Sequence, residues 1–399
     1  MFSRNNPRQL YLVLESMRSA ALGTILPVFA LYYRSFDISL FQIAMLAAIF
    51  EATILVWEVP SGIWADRISR RSAVIFSEIC LTVGGLLFVG LPGLWFFIIA
   101  EIMQGMGEAF GSGSLEAWVV DELQIGEKRR ETESLFALAL RWKTIAMLAG
   151  AVLGGVLGAG NLRWVWAPFA GLHICGLFLS LNMKEVHFDN LIPTVEKAKT
   201  RQIIASGVKR LRQSAVLKIL VGFGFVCAFA EEGIDEFWQV HLHETVHVPI
   251  VWFGMLVAVP ALLIFLFAPR VIGFMGRRLP SALSILIFQV GLVAGVFGFA
   301  VFRSLPVIFC LGAVFVLVDL KKPLVSAWAN EQIATEHRAS MLSFLNMVSS
   351  AGEAGAGLAF GYLAMLLGLH YVFILAGCVS LIAVFMLFAG DGATNEKPG

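Results

Sequence analysis

The sequence predicts an all-α integral membrane protein of twelve transmembrane helices, set as two pseudo-symmetric six-helix bundles. Three observations carry that prediction. The 399 residues are 58% hydrophobic and only 14% charged, with a mean hydropathy of +0.82, whereas an average soluble chain carries ~25% charged residues. Twelve apolar stretches each reach the ~20 residues that a membrane-spanning helix needs. Short patterns in the first half also return, in order, in the second. These figures exclude a disordered chain, a secreted disulfide scaffold and an ordinary soluble enzyme. A net charge of +1 offers no basic field for nucleic acid. The five cysteines lie inside apolar stretches without metal-ligand spacing, so neither a metal nor a cofactor is expected.

The twelve spans run over 10–33, 40–64, 73–90, 95–120, 135–159, 164–183, 216–240, 250–274, 281–302, 305–330, 340–366 and 369–389. The first is too long for a signal-peptide core and has no convincing cleavage site, so it reads as a retained helix. Spans 216–240 and 305–330 are weak by hydropathy because they carry charges. Gly111-Ser112-Gly113-Ser114 lacks the lysine of a phosphate-binding loop and reads as a bend in the fourth span. The basic residues test the count independently. With the N-terminus inside, 19 of the 29 Lys and Arg fall in cytoplasmic segments, three fall outside (Arg34, Arg163 and Arg303) and seven lie within spans. That alternation obeys the positive-inside rule. It places both termini in the cytoplasm of a multi-pass inner or plasma membrane protein.

Residues 184–215 separate six spans from six, giving an N-terminal bundle over 1–183 and a C-terminal bundle over 216–399. The connection holds seven Lys or Arg and an amphipathic run, Arg201–Gln213, which reads as a helix lying on the inner leaflet. Comparison of the halves aligns GIWADRISRR (Gly62–Arg71) with PRVIGFMGRR (Pro269–Arg278), and AWVVDEL (Ala117–Leu123) with AWANEQI (Ala327–Ile333). EKRRETESL (Glu127–Leu135) follows the same pattern with EHRASMLS (Glu336–Ser343). The offsets are 207 to 210 residues, as duplication of a six-helix unit requires.

Gly62, Asp66, Arg67, Arg70 and Arg71 resemble the loop 2–3 motif of the major facilitator superfamily, G-x-x-x-D-R-x-x-R-R/K. The resemblance covers essentially the whole chain. It implies two bundles rocking around a midplane cavity to give alternating access, with helices 1, 4, 7 and 10 lining that cavity. It also implies a conformational latch at the cytoplasmic end, in which Asp66 accepts from a neighbouring helix N-terminus and Arg67 or Arg70 pairs with Asp121. Arg71 is read as a topology determinant alone. Two departures stand out. Glu101 replaces the arginine that precedes Q-G-x-G in the family's fourth helix. Gly150, Gly154, Gly155 and Gly158 suit a close helix contact in the fifth, but the proline of the antiporter pattern is missing.

Thirteen carboxylates fall within the spans against seven basic residues. Each ionisable group there costs at least ~2.5–3.5 kcal/mol on insertion scales and needs a partner, water or a proton. The surplus acids are therefore the candidates for proton coupling and for contact with a cationic substrate. Glu101, Gln104 and Glu108 share one face of the fourth span. Glu231, Glu232, Asp235 and Glu236 crowd one and a half turns of the seventh, with Asp235 and Glu236 open to a second reading as solvated residues of the outer interface. Glu15 and Arg18 are spaced to pair within the first span, and Arg141 with Glu116 across the fifth and fourth. Asp319 is expected to pair with Lys322. Glu51 and Glu353 stand alone at mid-depth, and Glu78 reads as structural. His241, His243 and His247 read as a solvated loop, whereas Trp238 and Trp328 are candidates for stacking on substrate.

The function these features predict is proton-coupled export of a hydrophobic or cationic small molecule. The alternative is symport or facilitated uptake of a small, anionic metabolite bound by Arg18, Arg141 or Lys322. The expected partners are the substrate, protons and the lipid bilayer, with the protein a monomer. No covalent chemistry and no nucleic-acid binding are expected.

Overall fold

The computed structural model describes residues 6–124, 129–184, 211, 215–333 and 338–395. Apart from Leu211, the linker helix predicted over Arg201–Gln213 lies outside the described residues, as does the Lys397 tail. Among these residues the chain is helical, with no strand. Fourteen α-helices of six residues or more are named here in chain order: α1 Pro7–Ile25, α2 Phe29–Arg34, α3 Leu40–Arg67, α4 Arg70–Gly90, α5 Leu94–Gly111, α6 Ser114–Glu122, α7 Arg129–Gly160, α8 Trp166–Ser180, α9 Ala215–Asp235, α10 Phe253–Arg278, α11 Ser281–Val301, α12 Pro306–Gln332, α13 Arg338–Leu367 and α14 Leu369–Asn395.

Eight helical segments are long and apolar enough to cross a membrane by length and composition. The other four predicted spans depart from that standard for physical reasons. Span 10–33 is broken between α1 and α2. Span 95–120 is divided at Gly113, whose φ of +70° favours glycine and separates α5 from α6. Span 216–240 ends as a helix at Asp235, after its cluster of carboxylates, and a short turn then leads into a π-helical segment over His241–Thr245. Span 305–330 becomes α12, which keeps its length but carries Asp319, Lys321 and Lys322.

The helix starts follow local chemistry. Asn6 caps α1 by accepting from the amides of Arg8 (3.1 Å) and Gln9 (3.4 Å), with Pro7 at the first helical position. Ser39 and Gln42 close a reciprocal capping box on α3. Ser69 caps α4 by accepting from Ser72 N at 3.1 Å.

The chain divides into two compact units: residues 1–192 with 247–258, and residues 193–246 with 259–399. Inside the first, α1 packs on α7 and α8, and α4 on α5 and α8. Inside the second, α9 packs on α13 and α14, and α11 on α12 and α14. Counted as spans, each unit pairs its first helix with its fifth and sixth and its third with its fourth and sixth. That shared pattern is the structural form of the repeat in the sequence.

Packing differs in character between the units. In the first, α1 and α7 approach backbone to backbone, because a Cβ at Gly150 would collide with the Ala20 carbonyl and one at Gly154 with that of Thr24. The close contact predicted from the glycine series is thus made with α1. An aromatic cluster of Tyr32, Tyr33, Phe36, Phe88, Phe97 and Trp166 closes one end of this unit, largely edge to face. The second unit buries one broad apolar core that includes Phe223, Phe288, Trp328 and Phe344.

Candidate functional site

The first unit gathers its charges from four helices. Glu15 of α1, buried, meets Lys143 Nζ of α7 at 2.5 Å. Arg18, one turn along α1, turns to α4 instead: its Nε lies 3.2 Å from Glu78 Oε1, and its Nη2 donates to Ser77 Oγ. Glu78 Oε2 contacts His173 Nδ1 of α8 at 2.7 Å, and Ser77 Oγ donates to the Gly107 carbonyl of α5 at 2.5 Å. The expected Glu15–Arg18 pair is therefore absent among the described residues. The i,i+3 spacing permits it, but each side chain finds a stronger opposite charge across a helix interface. Arg141 likewise makes no ion pair with Glu116; Lys143, two residues on, is the residue of α7 that reaches a carboxylate. Glu78, read from sequence as structural, is the centre of this network. His173 was not singled out in the sequence. Its signal was a single histidine inside the largely apolar α8.

Along α5 the three polar residues of the predicted face diverge. Glu101 accepts from Tyr33 Oη. Gln104 is buried, with Nε2 3.4 Å from the Leu81 carbonyl. Glu108 is accessible and makes no hydrogen bond or ion pair among the described residues. It lies within electrostatic reach of Arg18.

The second unit has its own network. Lys321 of α12 is buried and donates to Glu231 of α9 and, at 3.0 Å, to Gln289 Oε1 of α11. Gln289 Nε2 donates in turn to Ser380 Oγ (2.9 Å) and to its carbonyl (3.1 Å) on α14. Asp319 and Lys322 pair at 2.8 Å, the partnership expected from their spacing, and both stay accessible. Asp235 and Glu353 are accessible and unpaired among the described residues, in electrostatic reach of Lys322, Glu231 and each other. Glu232 lies beside α13, where a Cβ at Gly357 would stand 3.7 Å from its Oε1. Glu236 is buried rather than solvated.

Two further readings are corrected. His241 is 2% exposed, held edge-on between Phe299 and Phe373 with both centroids 5.0 Å away, so it is no part of a solvated loop. No group of metal-binding side chains occurs among the described residues. Trp238 and Trp328 are buried, with Trp238 edge-on to Phe315 and Trp328 to Phe223, and have no face free for a substrate.

At the motif between α3 and α4, Arg70 contacts Asp121 of α6 and donates to the Ala117 carbonyl at 2.7 Å. Of the two arginines that the motif offered for Asp121, it is Arg70 that reaches it; Arg67 is accessible and makes no ion pair among the described residues. Asp66 is accessible and within electrostatic reach of Arg70. Arg71 donates to the Leu181 carbonyl at 2.9 Å, tying the start of α4 to the end of α8. It is thus a structural contact as well as a positive charge.

The sequence and the fold can be set beside known proteins. YxaM of Bacillus subtilis (strain 168), described as an MFS-type transporter, is 23% identical over 385 residues, covering 93% of either chain. Multidrug resistance protein 2 of the same organism is 20% identical over 415 residues, covering 99% of this chain and 98% of its own. The crystal structure of the nucleoside transporter NupG superposes with a TM-score of 0.78 at 12% identity, over 96% of this chain and 99% of that one. The family model for the Major Facilitator Superfamily matches residues 12–352. The chain is a multi-pass membrane transporter, not an enzyme, and it belongs to the major facilitator superfamily.

Proposed function

We propose that the protein is a proton-coupled secondary transporter that exports a hydrophobic or cationic small molecule. One observation carries the reading. Each unit keeps accessible carboxylates that make no ion pair among the described residues, Glu108 in the first and Asp235 and Glu353 in the second, while Arg18, largely buried, and Lys321, buried, are held in ion pairs. Leaving such acids uncompensated costs several kcal/mol in a membrane, and protonation or an organic cation removes that cost. Multidrug resistance protein 2 of B. subtilis, similar over nearly its full length, accords with export. Arg70–Asp121 with Asp66 serves as the conformational latch at the end assigned to the cytoplasm by the basic residues. Uptake of an anionic metabolite is the weaker reading. Arg18 is neutralised by Glu78 and Lys322 by Asp319, which leaves Arg141 as the one of the three residues that reading would use that makes no ion pair among the described residues.

The test is transport in proteoliposomes containing the purified protein, with ethidium as the cationic probe. Export coupled to protons predicts that an imposed pH gradient accelerates ethidium movement several-fold and that collapsing it removes the acceleration. Equal rates with and without the gradient would contradict proton coupling.

A further inference from the structure

We propose that Arg18, Glu78 and His173 form a proton-binding site inside the first unit, and that a cation held at Glu108 expels the proton from it through Arg18. The direction of the exchange rests on the export reading above; the site itself rests on geometry. Glu78 and His173 are 1% and 3% exposed, and the network closes over α1, α4, α5 and α8 through contacts of 2.7 Å (Glu78–His173) and 3.2 Å (Glu78–Arg18). The space for it is built by glycine. A Cβ at Gly111 of α5 would overlap the Arg18 guanidinium, and one at Gly176 of α8 would stand 2.8 Å from Glu78 Oε2. Phe169 packs against the imidazole, with ring centroids 4.6 Å apart at a tilt of 53°. A carboxylate already paired with an arginine needs no second partner to be stabilised, yet here it holds an imidazole, the side chain that changes charge near neutral pH.

Charge arithmetic gives the site its behaviour. Arg18 and Glu78 cancel, so the triad is neutral with a neutral imidazole and carries +1 with an imidazolium. In the neutral form His173 Nδ1–H donates to Glu78 and Nε2 keeps its lone pair. The proton is accepted at Nε2 from water and returned from Nε2 to water. The other groups facing the site are Glu15 with its partner Lys143, Glu116 and Glu108, each carboxylate acting on Arg18. The same elements also carry Tyr11 of α1, beside Glu15 and Glu116, Cys80 of α4, Glu101 of α5, held by Tyr33, Cys175 of α8, exposed, and Arg163 of the turn before α8, stacked on Phe36. With Lys143 neutralising Glu15, Glu116 and Glu108 are the other carboxylates acting on Arg18, and Glu108, the accessible one, is the negative charge that a substrate can cover. An empty, ionised Glu108 adds to the negative charge that favours the imidazolium; a bound organic cation removes that share, and in low dielectric the imidazolium is then less favoured. Substrate and proton then compete for one charge without sharing an atom.

Glu108→Gln mimics the bound cation, and it alters an accessible residue, so the fold is preserved. Histidine-selective ¹⁵N NMR of the full-length protein in detergent micelles reads the protonation of His173 directly, with the signal assigned by its loss in His173→Gln. At a fixed pH where the wild type is partly imidazolium, Glu108→Gln is expected to lower that fraction about three- to tenfold. Saturating ethidium should do the same in the wild type. An imidazolium fraction unchanged in Glu108→Gln, or a His173 that stays neutral to pH 5 in the wild type, would overturn the inference. Proteoliposome transport that ignores the pH gradient would instead overturn the export reading while leaving the NMR result standing.

Discussion

At Glu78, itself 1% exposed, one carboxylate serves two partners, Arg18 Nε at 3.2 Å and His173 Nδ1 at 2.7 Å. Removing it takes the ion-pair partner from a largely buried guanidinium, and breaking a buried pair in this way costs up to ~3–5 kcal/mol. Glu78→Ala is therefore expected to lower the melting temperature of the purified protein strongly, and Glu78→Gln less, since the amide keeps a hydrogen bond to the arginine. Thermal unfolding followed by size-exclusion chromatography checks the order. Asp319→Asn removes an accessible ion pair of the second unit and should change stability little. At this scale the sequence was partly legible. The Asp319–Lys322 partnership follows from i,i+3 spacing within one helix. The partners of Glu15, Arg18 and Glu231 lie on other helices, and no spacing within α1 or α9 encodes which neighbour will face them.

Among the elements, α1 against α7 and the break between α5 and α6 depend most on glycine. Gly150→Val would drive a side chain into the Ala20 carbonyl, and backbone cannot yield as a side chain does. It is expected to abolish recovery of folded protein from the membrane. Gly171→Ala in α8 meets nothing within 4 Å and should be neutral or stabilise by ~0.5–1 kcal/mol through lower chain entropy. A fluorescence-detected size-exclusion profile of both variants measures the contrast. The glycine clusters at 111–113 and 150–158 announced a bend and a close contact in the sequence. The partner helix of the contact was not announced, because small residues mark a surface of approach and not its occupant. His241 shows the opposite failure: HLHETVH reads as polar loop, and the burial of its first imidazole between Phe299 and Phe373 depends on α11 and α14 arriving beside it.

For the whole molecule, the low charge content marks the membrane, and the repeat marks two units with the same internal helix pairing. The unequal sorting of charge carries the mechanism. Arg18 and Lys321 are taken up by Glu78 and Glu231, and Glu108, Asp235 and Glu353 remain as accessible acids. The imbalance of thirteen carboxylates to seven bases was countable in the sequence; which acids stay unpaired was not, since pairing is decided by tertiary contacts. Asp121→Asn weakens the contact with Arg70 at the latch and is expected to slow transport several-fold with unchanged ethidium binding, as fluorescence anisotropy with parallel flux assays would show.

The central claim is that cation and proton move in exchange. It is tested most directly with an ethidium gradient alone, across proteoliposomes at equal pH and clamped membrane potential, with trapped pyranine reporting internal pH. The account predicts that ethidium moving down its gradient drives protons the opposite way in the wild type, and that Glu108→Gln abolishes the pH change. Ethidium movement with a flat pyranine signal in the wild type would contradict it.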